Sequence, residues 1–142
     1  MVDIQDDQNI ARYCDPRKLT EDGRVTGACY QLRPRDRGKL SVNWLEYIEC
    51  ETRKAKIDYL IHHYSTIMNE FKGAKVAVSC VGKTKDYVYT ESLDDRKLSI
   101  AHIGKPGSGN PSHACISNIT LNEMVIFELI AKSVSVTYDF PP

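Results

Sequence analysis

Apolar residues recur at three- and four-residue spacing most clearly at Ile57, Leu60, Ile61, Tyr64, Met68 and Phe71, which share one face of a helix. Lys72 and Gly73 then supply a cationic last turn and a glycine able to end it. A shorter helix is expected over 44–50, because Asn43 is a good N-cap and Glu46 completes a capping box three residues on. Thr120 and Glu123 repeat that box. Leu121, Met124, Val125 and Leu129 give the helix behind them an apolar stripe.

Between these helices, β-branched and aromatic runs predict strands over 10–14, 25–32, 40–42, 75–81, 87–90, 98–103, 113–116 and 134–140. Residues 1–9 are polar and read as a loose N-terminal segment, which leaves 10–142 as a single domain. Short separations between the later strands imply antiparallel pairing. The fold class is therefore α+β: a mainly antiparallel sheet with one long and one or two shorter helices packed on it.

Composition narrows the function classes. A chain of 142 residues with 42% hydrophobic and 27% charged residues can bury its own core without staples. Basic and acidic residues balance at 19 each, so any nucleic-acid role must rest on a local patch. Five cysteines stand far apart, and no basic-then-apolar leader opens the sequence. Free thiols and a cytoplasmic, reducing setting are expected. No apolar run approaches the roughly 18 residues of a membrane span, so no membrane role is expected.

Three residues suggest chemistry. Arg12 lies in a short strand. Ser41 is expected at a strand-to-helix junction, where backbone N–H groups favour phosphate. His113 follows a loop rich in glycine and proline, where functional residues often sit. Together they could surround a dinucleotide. The plainer alternative is a surface arginine, a small strand residue and a loop contact. Arg33, Arg35, Arg37 and Lys39 form a basic loop able to grip nucleic-acid phosphates, or simply a solvated face.

Other chemistry is less favoured. Cys14, Cys29, Cys80, Cys115, His102 and His113 are good ligand types, but no Cys-X-X-Cys spacing unites them, so no metal is expected. A cysteine nucleophile would need Cys115 beside His102 or His113. The loop 104–109 lacks the residue order of a phosphate-binding loop. His62 and His63 point in different directions from the long helix, which suggests packing.

Arg12-Tyr13-Cys14, the run 40–47 (Leu-Ser-Val-Asn-Trp-Leu-Glu-Tyr) and 111–116 (Pro-Ser-His-Ala-Cys-Ile) resemble a family of short bacterial proteins from defence and mobile-element loci. The layout is also similar to ADP-ribosyltransferase-like toxins, which use an arginine or histidine, a strand serine and a late glutamate. That resemblance implies NAD as cofactor and Arg12, Ser41, His113 and Glu123 as catalytic residues. The late strand carries Cys115 where the layout has a glutamate, so Glu123 would have to take its place.

Two functions follow as expectations. One is a small cytoplasmic interaction module or accessory subunit of an antiviral defence system, bound to another protein. Tyr47, Tyr87 and Tyr89 suit an interface. The alternative is an ADP-ribosyltransferase-like toxin or nucleotide-binding enzyme that uses NAD.

Overall fold

The computed structural model describes residues 1–69 and 71–142. One sheet organises it, built from β1 (Val2–Asp3), β2 (Asn9–Cys14), β3 (Leu40–Trp44), β4 (Lys75–Cys80), β5 (Ser99–His102), β6 (His113–Ser117) and β7 (Val134–Asp139). The order across the sheet is β1-β5-β6-β3-β2-β4-β7, and every neighbouring pair is antiparallel. Three helices accompany it: α1 (Arg53–Ile67), α2 (Val81–Glu91) and α3 (Met124–Lys132). This is the expected α+β class, with one long and two shorter helices. No helix among the described residues is long and apolar enough to cross a membrane.

The helices cover both faces of the sheet. α1 buries Ile57, Leu60 and Tyr64 with Ala11, Val76, Val78 and Phe140. On the other face Ile126, Phe127 and Ile130 of α3 and Val88 of α2 join Ile10, Leu40, Val42, Ala77 and Ile116. Alternation along β2 and β4 produces this division, because successive side chains point to opposite faces. Double coverage also explains why β4 is almost continuously buried.

Several elements differ from expectation, each for a local reason. α1 starts at Thr52, whose hydroxyl accepts from the Ala55 N–H at 3.1 Å. It stops at Ile67, so Phe71 falls off the stripe and is 44% exposed. Residues 87–90 are helical, not a strand. Val81, Thr84 and Val88 recur at helical spacing and are buried, and that burial overrides the β-propensity of Tyr-Val-Tyr-Thr.

Residues 25–32 are not a strand either; they hold a 3-10 turn at Gly27–Tyr30. The Thr26 hydroxyl accepts from the Ala28 N–H at 3.2 Å, and the Gly27 N–H donates to Glu128 Oε1 at 2.7 Å. The helix expected over 44–50 shrinks to a 3-10 turn at Leu45–Tyr47, because Asn43 and Trp44 belong to β3. Glu46 does not close a capping box there; it accepts from the N–H and side-chain amide of Asn9.

The α3 cap residue is Glu123, not Thr120. The buried stripe is Ile126, Phe127, Leu129 and Ile130, which leaves Leu121, Met124 and Val125 exposed. The first nine residues are not loose. β1 pairs with β5, Ile4 is buried and donates to the Ile100 carbonyl, and the Gln8 and Asp6 carbonyls accept from Val81 and Gly82.

Phe127→Ala should cost about 3–5 kcal/mol in urea denaturation, because Phe127 is fully buried between α3 and the sheet. Val125→Ala, two residues away and 66% exposed, should stay within about 0.5 kcal/mol. Equal losses would contradict the assignment of the α3 buried face.

Candidate functional site

A split in the sheet creates the site. β2 pairs with β4 over six residues, yet it meets β3 only at Ile10↔Trp44 and Ala11↔Asn43. Past that point the two strands part, and backbone groups along the gap need other partners. Arg12 supplies them. Its Nη1 donates to the Ser41 carbonyl at 2.6 Å and its Nε to the Cys29 carbonyl at 2.7 Å. Its Cζ lies 5.8 Å from the centre of the Tyr30 ring. None of these partners cancels its charge.

Among the described residues no carboxylate forms an ion pair with Arg12. Asp36 feels the charge, but its carboxylate is closed onto the Arg33 N–H at 2.8 Å and the Arg33 guanidinium at 3.4 Å. Burial lowers the Arg12 pKa from its ordinary value. A guanidinium nevertheless stays protonated at neutral pH. The result is a fixed, uncompensated cation.

That cation borders a cavity of about 240 Å³, whose walls include Lys18, Arg33, Asn43, His63 and Tyr64. Asp15 is also on the wall but is held by Arg17 at 2.7 Å. A second, more open space of about 570 Å³ shares His63, Ile67 and Asn110 with the first and extends along the glycine-rich loop to Lys105 and His113. The His63 Nε2 is buried where the two spaces meet, with no hydrogen-bond partner among the described residues.

Sheet register brings Ser41 to His113. β6 sets His113 opposite Asn43 and Cys115 opposite Ser41, so Ser41 and His113 are diagonal neighbours on the α1 face. Ser41 Oγ lies 2.8 Å from His113 Nε2. Burial, then the neighbouring His102, lowers the His113 pKa and keeps the imidazole neutral at pH 7. In the tautomer with Nε2 unprotonated, His113 can take the serine proton. A serine hydroxyl on a neutral imidazole is the arrangement that activates a nucleophile, or that removes a proton from a bound hydroxyl.

Asn43 holds the walls together. Its buried side chain accepts from Tyr64 OH of α1 at 2.7 Å, and donates to Asn110 Oδ1 at 2.7 Å and Ser112 Oγ at 2.8 Å. Helix, central strand and loop thus meet on one amide. The loop closes tightly at its base: the Ile103 and Gly104 N–H groups both donate to the His113 carbonyl. A Cβ at Gly104 would lie 2.2 Å from the Pro111 oxygen, so only glycine fits there.

Of the residues anticipated from sequence, Arg12, Ser41 and His113 meet at this cleft and Glu123 does not. Glu123 accepts from both Arg96 Nη groups, at 2.8 and 2.6 Å, and from the Thr120 N–H. The Arg96 guanidinium holds its pKa at about 2. Ser41 stands within β3, not at a helix start, so attraction for an anion comes from side-chain cations. Arg33, Arg35, Arg37 and Lys39 are all exposed, but only Arg33 borders the cavity.

The Cys115 thiol is buried, and burial pushes its pKa up, which removes the thiolate a nucleophile needs. All five cysteines are free. No three metal-ligating side chains gather among the described residues. Asn43, His63 and Tyr64 were legible only as cap and packing residues. The available signal was a polar asparagine set between Val42 and the apolar pair Trp44-Leu45.

The His113 pKa predicts a direction with pH. The unfolded imidazole titrates near the ordinary 6.5 and the folded one lower. The unfolded chain therefore takes up the proton first, so stability is complete above pH 6.5 and declines as pH falls below it. His113→Gln should flatten this decline in urea denaturation at pH 7.5 and 5.5, leaving the share from His63, whose pKa is also lowered by burial. An unchanged decline in the variant would contradict a neutral, half-buried His113.

Comparison with known proteins finds no matching family model, no matching curated protein and no matching solved structure.

Proposed function

We propose that the chain is a nucleotide-binding enzyme that takes NAD or a related ADP-ribose-bearing ligand in the split between β2 and β3. The observation that carries this reading is Arg12. A half-buried cation fixed by two carbonyls and a ring, with no carboxylate partner among the described residues, is suited to receive a ligand anion. Lys18 and Arg33 add to the same field, and Lys105 continues it into the second space. A pyrophosphate with its two sugars suits an elongated, two-part cleft of this kind.

The Ser41–His113 pair borders the same cleft and supplies a proton acceptor beside a hydroxyl. The resemblance to ADP-ribosyltransferase-like toxins supports NAD over other nucleotides through Arg12 and Ser41. It does not extend to the late glutamate, because Glu123 is closed onto Arg96. His113 is the residue in the third role here, as a base instead of a carboxylate. A second reading, a subunit that docks on another protein, is favoured by the exposed apolar run of Leu121, Met124 and Val125 at the start of α3.

Thermal-shift titration with NAD, ADP-ribose, ATP and inorganic phosphate tests the proposal. A ligand at about 100 times its dissociation constant should add roughly 2.7 kcal/mol, a rise of several degrees in Tm. The rise should appear with NAD or ADP-ribose, vanish in Arg12→Ala and persist in Glu123→Gln. No rise with any ligand, or one unaffected by Arg12→Ala, would remove the basis of the nucleotide reading.

A further inference from the structure

A third cavity, of about 550 Å³, is lined by Trp44, Tyr47 and Tyr59 together with Glu46 and Glu49, and shares no lining residue with the Arg12 cavity. We propose that it binds an organic cation: a quaternary ammonium group carried on a short aliphatic chain. The inference does not rest on the nucleotide reading.

The aromatic wall is built and fixed. Trp44 and Tyr47 have ring centres 5.5 Å apart, and His102 packs against both, at 5.2 and 4.5 Å. Trp44 Nε1 donates to Gln8 Oε1 at 2.9 Å, and His102 Nε2 meets the Pro111 carbonyl at 2.8 Å. Trp44 and His102 are thus held before any ligand arrives. Tyr59 approaches from α1 and is 45% exposed, which leaves a ring available at the mouth.

Charge selects the ligand. Among the described residues Glu46 accepts from neutral groups, the Asn9 N–H at 2.6 Å and the Asn9 amide at 2.8 Å, so its negative charge is oriented but not cancelled. Glu49 is exposed beside it. Among the described residues no lysine or arginine lines the space; Lys56 stands outside the lining, where its ammonium, still charged, donates to the carbonyl of Ile48. Two carboxylates and three aromatic side chains without a lining cation make the electrostatic opposite of the Arg12 cavity.

Hydrogen-bonding capacity narrows the class further. A primary ammonium has three N–H donors to satisfy, and a metal ion wants a shell of oxygens. On this wall both Glu46 oxygens already accept from Asn9, which leaves Glu49 as the carboxylate open to a ligand. A quaternary ammonium has no donor to satisfy, and the faces of Trp and Tyr attract its diffuse charge.

Trp44 is the sole tryptophan of the chain, so its fluorescence reports on this cavity directly. The full chain would be titrated with choline, with 3,3-dimethylbutan-1-ol (the neutral carbon analogue of choline) and with a tripeptide carrying trimethyl-lysine. The indole N–H signal in NMR would be followed in parallel. Choline should give a saturable change and the neutral alcohol one at least about ten-fold weaker. Glu49→Gln and Tyr47→Leu should each weaken choline by about three- to thirty-fold. Arg12→Ala should leave it unchanged, which separates this site from the nucleotide cleft. Tighter binding of the tripeptide would assign the cation to a modified protein chain; equal or weaker binding would assign it to a free small molecule. Equal binding of choline and the alcohol, or no saturable change with any of the three, would overturn the proposal. Glu49 is exposed, so E49Q keeps the test decisive even if Tyr47→Leu disturbs the fold.

Discussion

The pairing of β2 with β3 lasts for two residue pairs, and the rest of the molecule is arranged around the place where it stops. An open seam inside a sheet leaves carbonyls that must be satisfied or solvated. Arg12 resolves this by donating across the seam to Ser41 and back to Cys29. A guanidinium can satisfy carbonyls without losing its charge. One side chain therefore props the sheet open and makes the opening electropositive. A neutral aliphatic residue could do neither, and would strand the Ser41 carbonyl at a cost of about 1–3 kcal/mol.

The opposite walls depend on a second polar residue. Asn43 sits at the last paired position before the seam and joins α1 to the glycine-rich loop through three side-chain hydrogen bonds. Every one of those partners is itself on the cleft or next to it. Register then does the rest: with Asn43 fixed opposite His113, the diagonal rule brings His113 to Ser41. The dyad is thus a consequence of strand pairing, not of loop placement, and it inherits the rigidity of the sheet.

Much of this was readable in the sequence where one periodicity dominated. α1 was, because Ile57, Leu60 and Tyr64 repeat at helical spacing and all three are buried on the sheet. β4 and β7 were, because each carries a β-branched run, and β2 was, because Asp15-Pro16 ends a short Ile-Ala-Arg-Tyr-Cys segment. The failures came where two signals competed. Asn43-X-X-Glu46 mimics a capping box, yet Asn43 continues β3 because its amide has buried partners available only in the tertiary structure. Tyr87 to Thr90 has strand propensity, but helical burial of Val81, Thr84 and Val88 outweighs it. At the site, residue chemistry pointed to Arg12, Ser41 and His113 while nothing in the chain could show that Glu123 would be captured by Arg96, twenty-seven positions away. The aromatic cavity was invisible for a related reason: Trp44, Tyr47 and Tyr59 come from a strand, a turn and a helix that only the fold brings together.

The central claim is that Arg12 stands uncompensated in order to meet a ligand phosphate. The most direct measurement is a crystal structure of the chain grown with ADP-ribose. The account predicts phosphate oxygens at about 2.7–3.2 Å from Arg12, on guanidinium donors not used by Ser41 and Cys29, with the ligand running toward His63 and Lys105. Density for the ligand elsewhere, or Arg12 turned out of the seam to pair with Asp15 or Asp36, would contradict it.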